Sequence, residues 1–240
     1  MSAPGGSVIV LDLDDTLYLE REFVRSGYAA LGGWMQQRFG VTDFAERAAW
    51  VFETGDRSRV FDAVLAGYGL ETQAGLIATL VSLYQCHSPQ IALAPDAAAW
   101  LEQHRHRTRL AIITDGPAAT QTNKLRALGL DGGGIAPLVC TGQWGRAYWK
   151  PHHRGFEHVM AHYRCAGSDC VYVADNPAKD FIAPRALGWR TVQIVRPGAI
   201  HAAATVGEGL GADTVITSFD ALDDWLAARG AAGPVHFAGQ

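Results

Sequence analysis

Short apolar runs recur along the chain, each followed by a polar or glycine-containing loop and then by a stretch of helical spacing. The runs fall at residues 7–13, 110–114, 137–140, 170–174 and 191–195, and their length and β-branched content favour buried strands over helix. Segments 118–128, 153–163 and 178–187 place apolar residues at helical spacing, and Gly129 and Gly188 stand where two of these helices should stop. This alternation predicts a Rossmann-like parallel α/β sheet covered by helices. A last helix is expected over 218–228, with a loose tail behind it.

One segment breaks the rhythm. Residues 20–90 read as helix throughout, with Trp34, Phe39, Phe44, Trp50, Phe52, Phe61, Leu65, Ile77 and Leu83 as apolar anchors and no convincing strand. Such a stretch, inserted after the first strand, predicts a small all-helical domain over 18–90 and an α/β core formed by 1–17 and 91–240. Its aromatic residues are expected to form a core of their own rather than a ligand cage.

Composition narrows the class without naming a function. Across 240 residues, 48% are hydrophobic and 18% charged, a balance that fits a soluble folded protein. The net charge of −4 supplies no basic field for a nucleic-acid polymer or an anionic membrane. Cys86, Cys140, Cys165 and Cys170 form no CxxC pair, so neither a disulfide scaffold nor a zinc knuckle is expected. The opening MSAPGGS lacks the basic start and apolar run of a secretory signal, and no run is long enough to span a bilayer. A reduced, cytoplasmic setting is expected.

The chemistry gathers at the ends of the strands, where open parallel sheets bind ligands. Asp12, Asp14, Asp15 and Thr16 follow the first strand; Thr114, Asp115 and Gly116 follow the second. Asp175 and Asn176 follow the fourth, with Asp180 one turn on, and Lys150 precedes the helix that leads into that strand. Clustered carboxylates suit a hard divalent cation such as Mg²⁺. A carboxylate can also attack phosphorus while a second acid moves the leaving-group proton. Hydroxyl, amide and ammonium groups suit the oxygens of a phosphoryl group.

These residues resemble the four motifs of the haloacid dehalogenase superfamily of phosphohydrolases, in order. They are DLDDT at Asp12–Thr16, the strand-ending Thr114, the helix-leading Lys150, and the acidic pair Asp175 and Asp180. One class of that family places a helical cap where residues 18–90 lie. The resemblance implies Asp12 as nucleophile and Asp14 as general acid and base. Thr114, Asp115, Gly116 and Lys150 would grip the phosphoryl group. Mg²⁺ would be held by Asp12, Asp14 (through its backbone carbonyl) and Asp175, with Asp180 and Asn176 supporting the site from behind. Two positions depart from the family pattern: Ala174 stands where Gly often precedes the acid, and Asp115 where Asn is frequent.

Other polar residues read more plainly. Asp15 is expected to shape the turn. His158 and His162 stand four apart on a helix without the Glu of an HExxH motif, and read as surface or satisfied histidines. The expected function is Mg²⁺-dependent hydrolysis of a small-molecule phosphate monoester, such as a sugar phosphate, through an aspartyl-phosphate. A 5′-nucleotidase or a phosphomutase on the same core is the alternative, and a catalytically dead binding module the non-enzymatic one. Halide displacement would not need Asp14. Candidate specificity residues are Tyr18, Glu20 and Arg21, and the loop 53–59 with Arg57 and Arg59.

Overall fold

A computed structural model describes residues 7–200 and 211–230. Six parallel strands form one sheet in the order β3-β2-β1-β4-β5-β6. They are β1 (Val8–Leu11), β2 (Arg109–Thr114), β3 (Ile135–Cys140), β4 (Cys170–Ala174), β5 (Arg190–Ile194) and β6 (Thr214–Ile216). Alternate residues serve two cores. Ile9, Leu11, Ile112, Val171 and Val173 face a cluster completed by α5 (Pro95–His104), α6 (Ala118–Ala127) and α9 (Asp220–Gly230). Val8, Val10, Ala111, Ile113 and Tyr172 face α7 (Arg154–Tyr163) and α8 (Ile182–Ala186). Side chains alternate across a strand, so a sheet covered on both faces needs uninterrupted apolar runs, which is what the sequence provides.

Four α-helices lie between β1 and α5: α1 (Glu20–Phe39), α2 (Phe44–Thr54), α3 (Val60–Ala66) and α4 (Leu76–Cys86). They surround a third apolar cluster that includes Val24, Tyr28, Phe44, Phe52, Leu65 and Leu80. Trp50 is the anchor that does not fit, since it is 68% exposed on α2. Its neighbours Ala48 and Phe52 take the inward positions, and Trp50 falls on the opposite face of the helix.

Several boundaries differ from the expected ones, and one strand was not expected. The first run forms strand only as far as Leu11, although Asp12 N–H still donates to the Val173 carbonyl (2.9 Å). The helix expected from 178 starts at Ile182 because the chain first turns on Asn176, whose Oδ1 accepts the Ala178 N–H at 3.1 Å. β6 was invisible in the pattern, being three residues long with Val215 58% exposed. The last ten residues of the expected loose tail lie outside the described residues.

The junction of the helical insertion and the sheet is pinned by hydrogen bonds. Ala94 N–H donates to the Leu17 carbonyl (2.9 Å), joining the two connecting strands of chain. Arg196 Nε donates to the Thr16 carbonyl at 2.7 Å while its guanidinium grips Asp96 at 2.9 and 3.2 Å. A bidentate pair of this kind fixes direction as well as distance. The insertion also meets α6, through Thr120 Oγ1 on the Gln85 carbonyl (3.1 Å) and Lys124 Nζ over the Phe23 ring (4.2 Å).

Candidate active site

β1 lies between β2 and β4, so the chain reverses its outward winding there, and a crevice opens beyond the strand ends. The loop leaving β1 enters this crevice through a tight turn, with Leu17 N–H bonded to the Leu13 carbonyl (3.0 Å). Asp15 takes a left-handed backbone at φ 52°, a conformation that short polar side chains tolerate. Its carboxylate accepts Glu20 N–H at 2.9 Å and Ile200 N–H at 2.6 Å. The expected turn residue therefore also holds the start of α1.

A cavity of about 320 Å³ occupies the crevice, roofed by Phe23, Tyr84 and Gln85 of the insertion. Asp12, Asp14, Thr114, Asp115, Gly116, Asp175 and Asn176 all line it. Lys150 and Asp180 stand behind the wall. Lys150 Nζ lies 2.7 Å from Asp12 Oδ1, 2.8 Å from Asp180 Oδ1 and 3.0 Å from the Tyr172 hydroxyl. The first and third are hydrogen bonds, and Asp180 is an ion-pair partner. Burial pulls Lys150 toward the neutral form, but Asp12 and Asp180 outweigh it and hold its pKa well above the ordinary lysine range. Asp180 uses its other oxygen to accept Asn176 N–H (3.0 Å), which ties the lysine to the loop after β4.

Asp12, Asp175 and Asp180 each offer an oxygen within 4.8 Å of the others. Burial, reinforced by Asp12 and Asp180, pushes the Asp175 carboxyl up to about 9. Burial pushes Asp12 to about 7 even with Lys150 beside it. One lysine does not offset this much buried negative charge. A hard divalent cation would, and oxygen ligands at close quarters are the set that Mg²⁺ takes together with water and substrate. The residues fit such an ion.

The side chain of Asp14 is directed elsewhere. Lys124 Nζ lies 2.7 and 2.9 Å from its two oxygens, the Tyr18 hydroxyl donates to Oδ1, and Gln121 Nε2 lies 3.4 Å from Oδ2. Burial acts to raise the Asp14 pKa, but Lys124 and Tyr18 more than cancel it and leave it below the usual carboxylate value. Asp14 is thus separate from the three-acid cluster, and only its backbone is available for the metal role that the resemblance gives it.

The second strand ends at a recess in the cavity wall, lined by Thr114, Asp115 and Gly116. Thr114 Oγ1 is buried without a hydrogen-bond partner among the described residues, and an unmet buried hydroxyl usually marks a missing ligand or water. Gly116 has φ 128°, and a Cβ there would stand 2.5 Å from Gln121 Nε2, so this backbone is reserved for glycine. Asp115, the departure from the family pattern, does not crowd the recess with free charge. Its Oδ1 accepts Thr141 Oγ1 (2.7 Å) and Lys150 N–H (3.1 Å), and Oδ2 lies 3.3 Å from Lys179 Nζ.

Lys124, Lys179, Gln121 and the Tyr18 hydroxyl complete the site, and only Tyr18 had been singled out from sequence, as a specificity residue. A signal for two of them was present in α6. Thr120, Gln121, Lys124 and Leu125 are its buried residues, so the face turned inward carries a lysine and a glutamine at helical spacing. Polar residues on a buried face need a partner inside.

The model for haloacid dehalogenase-like hydrolases matches residues 7–188. The chain belongs to that family. No curated protein matches it in sequence. Among solved structures, a HAD family hydrolase of Deinococcus radiodurans with bound phosphate and sodium superposes with a TM-score of 0.63 at 21% identity, covering 97% of this chain and 100% of that one. A Bacillus subtilis protein described as a HAD-hydrolase and bound to magnesium gives 0.66 at 17% identity over 92% and 99%. The 2-haloacid dehalogenase of Pseudomonas syringae gives 0.63 at 21% over 94% and 99%. At such identities the likeness is one of fold. Among the described residues, no helix is long and apolar enough to cross a membrane.

Proposed function

We propose that this hydrolase cleaves a small-molecule phosphate monoester through an aspartyl-phosphate on Asp12, with Mg²⁺ held by Asp12, the Asp14 carbonyl and Asp175. The observation that carries the reading is Asp14, a second acid on the cavity wall two residues after Asp12. A halide leaves as a stable anion and needs no proton, whereas an alkoxide leaving from phosphorus does. The acidic cluster supports the same reading, because phosphoryl transfer gains from a divalent cation. Residues 18–90 then serve as a cap over the core.

In this mechanism an Asp12 oxygen attacks phosphorus. Lys150 orients Asp12 and favours its ionised form against burial, and Asp180 is paired with Lys150. The Thr114 hydroxyl and the backbone N–H of Gly116 hold nonbridging oxygens. Asp14 protonates the leaving oxygen; for that step Lys124 releases it, its pKa rises, and it takes up the proton from solvent before passing it on, since a carboxylate gripped by an ammonium is a poor proton donor. It then takes a proton from the water that opens the aspartyl-phosphate. When bound, Mg²⁺ supplies charge neutralisation for the nonbridging oxygens.

The test uses purified protein on 4-nitrophenyl phosphate with Mg²⁺, with EDTA, and as Asp12→Asn. Release of 4-nitrophenol that needs the metal and disappears in the variant is the expected result. A parallel assay follows halide release from 2-chloropropionate. Halide release without hydrolysis of any phosphate ester in a broad panel would sink the proposal in favour of the dehalogenase reading.

A further inference from the structure

Every acid around the cavity but one has a partner. Lys150 is shared by Asp12 and Asp180, Lys124 holds Asp14, and Lys179 holds Asp115. A divalent cation accounts for Asp175. Asp15 is satisfied by two backbone N–H groups. Glu20, on the first turn of α1, is left with a carboxylate that lines the cavity and has no hydrogen bond or ion pair among the described residues. Burial, with the nearby Asp14 adding to it, pushes its carboxyl up to about 7 although Lys124 and Lys179 pull the other way.

A second group on the cavity wall lacks a donor as well. Gln121 is only 3% exposed. Its Nε2 donates to the Asp115 carbonyl at 2.5 Å and lies 3.4 Å from Asp14 Oδ2. Both contacts are acceptors, which fixes the amide orientation and leaves Oε1 buried and unmet.

The other candidate specificity residues are occupied. The Tyr18 hydroxyl is bound to Asp14. Arg21 bonds the Gly198 carbonyl (2.7 Å) and Glu53. Arg57 bonds the Phe52 carbonyl (3.1 Å) and stacks on its ring, and Arg59 pairs with Asp62. No cation in this set is left over to receive a second anionic group of the substrate.

We infer that Glu20 is a specificity-determining residue, which with Gln121 selects phosphate esters whose leaving group is uncharged or cationic and rich in hydrogen-bond donors. The class is that of polyol and amino-alcohol phosphates, and esters carrying a second carboxylate or phosphate are rejected. This rests on the phosphatase reading and deepens it. An unmet carboxylate gains from a hydroxyl or ammonium donor, and it repels a second anion brought into the same desolvated space.

The test compares sn-glycerol 1-phosphate with D-3-phosphoglycerate, which share the configuration at C2 and differ only in a terminal hydroxymethyl or carboxylate group. kcat/KM for both is measured in the wild type, Glu20→Gln and Glu20→Lys, with Mg²⁺ present and at pH 8, above the Glu20 value of about 7. The ratio is internal to each protein, so a change in the amount of folded enzyme cancels. The wild type should favour glycerol phosphate by about tenfold or more, as expected for like charges at partly screened separations. Glu20→Gln should bring the ratio toward one, and Glu20→Lys should reverse it. An unchanged ratio across the three proteins, or a wild type that prefers phosphoglycerate, overturns the inference. So does a wild type that hydrolyses 4-nitrophenyl phosphate but neither member of the pair, with the phosphatase reading left standing. A wild type inactive on every phosphate ester removes that reading, and this inference with it.

Discussion

Replacing Lys150 by methionine tests the electrostatic account of the site most directly. The two side chains are similar in length, so packing against Tyr172 is largely kept while the charge is lost. In the variant Asp12 and Asp180 lose the ammonium at 2.7 and 2.8 Å, and the Lys150 side chain is only 1% exposed. Removing one partner of a buried ion pair costs about 3–5 kcal/mol. For a chain of this size 1 kcal/mol corresponds to about 2–4 °C in Tm, so the midpoint should fall by about 6–20 °C at pH 8 without divalent cations.

The loss should also depend on pH, with a definite sign. The Asp12 carboxyl already stands at about 7, above its ordinary 3.8, and removing Lys150 raises it further. Between the ordinary and the folded value, the unfolded chain has released a proton that the folded chain keeps. Stability therefore falls as pH rises through that window, by about 1.4 kcal/mol per unit for each such group. As pH rises, both proteins lose stability in parallel below about pH 7, and above it the variant alone goes on losing it through Asp12, so its deficit should be larger at pH 8 than at pH 5. Thermal melts across pH 5–8 decide the matter. A Lys150→Met protein with the wild-type midpoint at pH 8, or with the same deficit at pH 5 and pH 8, would refute the reasoning.

Three further outcomes are expected. Mg²⁺ should raise the wild-type Tm more at pH 8 than at pH 5.5, because at the lower pH it must displace protons held by Asp175 (about 9) and Asp12 (about 7). Equal shifts at both values would count against the acidic cluster as the cation site. Asp15→Ala should destabilise by about 1–3 kcal/mol in urea melts, through loss of the acceptors for Glu20 N–H and Ile200 N–H. Asp15→Asn, which keeps one acceptor and tolerates the left-handed backbone, should lose less. Gly116→Ala forces a side chain onto φ 128° and against Gln121, a strain of about 1–3 kcal/mol. It should weaken phosphate-ester binding as a rise in KM, and an unaltered KM would show that the Gly116 backbone does not touch substrate.

The sequence alone determined the architecture and the set of groups at the strand ends. Strands buried on both faces must read as unbroken apolar runs, so β1, β2 and β4 are legible in the sequence, with β5 marked by its β-branched Thr191, Val192 and Ile194, and their polar successors follow from the geometry of parallel sheets. β6 was not legible, because three residues on a half-covered edge carry too little pattern. Pairing was decided by tertiary structure. Lys150 meets Asp12 across 138 positions of sequence and Lys124 meets Asp14 across 110, and no local pattern encodes which lysine serves which acid. The acids of DLDDT differ little in local sequence, yet burial beside Lys150, an ion pair with Lys124 and two backbone N–H groups give Asp12, Asp14 and Asp15 separate chemical states. Electrostatic energy depends on distance and burial rather than on order in the chain. For the same reason, Glu20 could be distinguished from Tyr18, Arg21 and Arg57 only once the fold had assigned every other charge a partner.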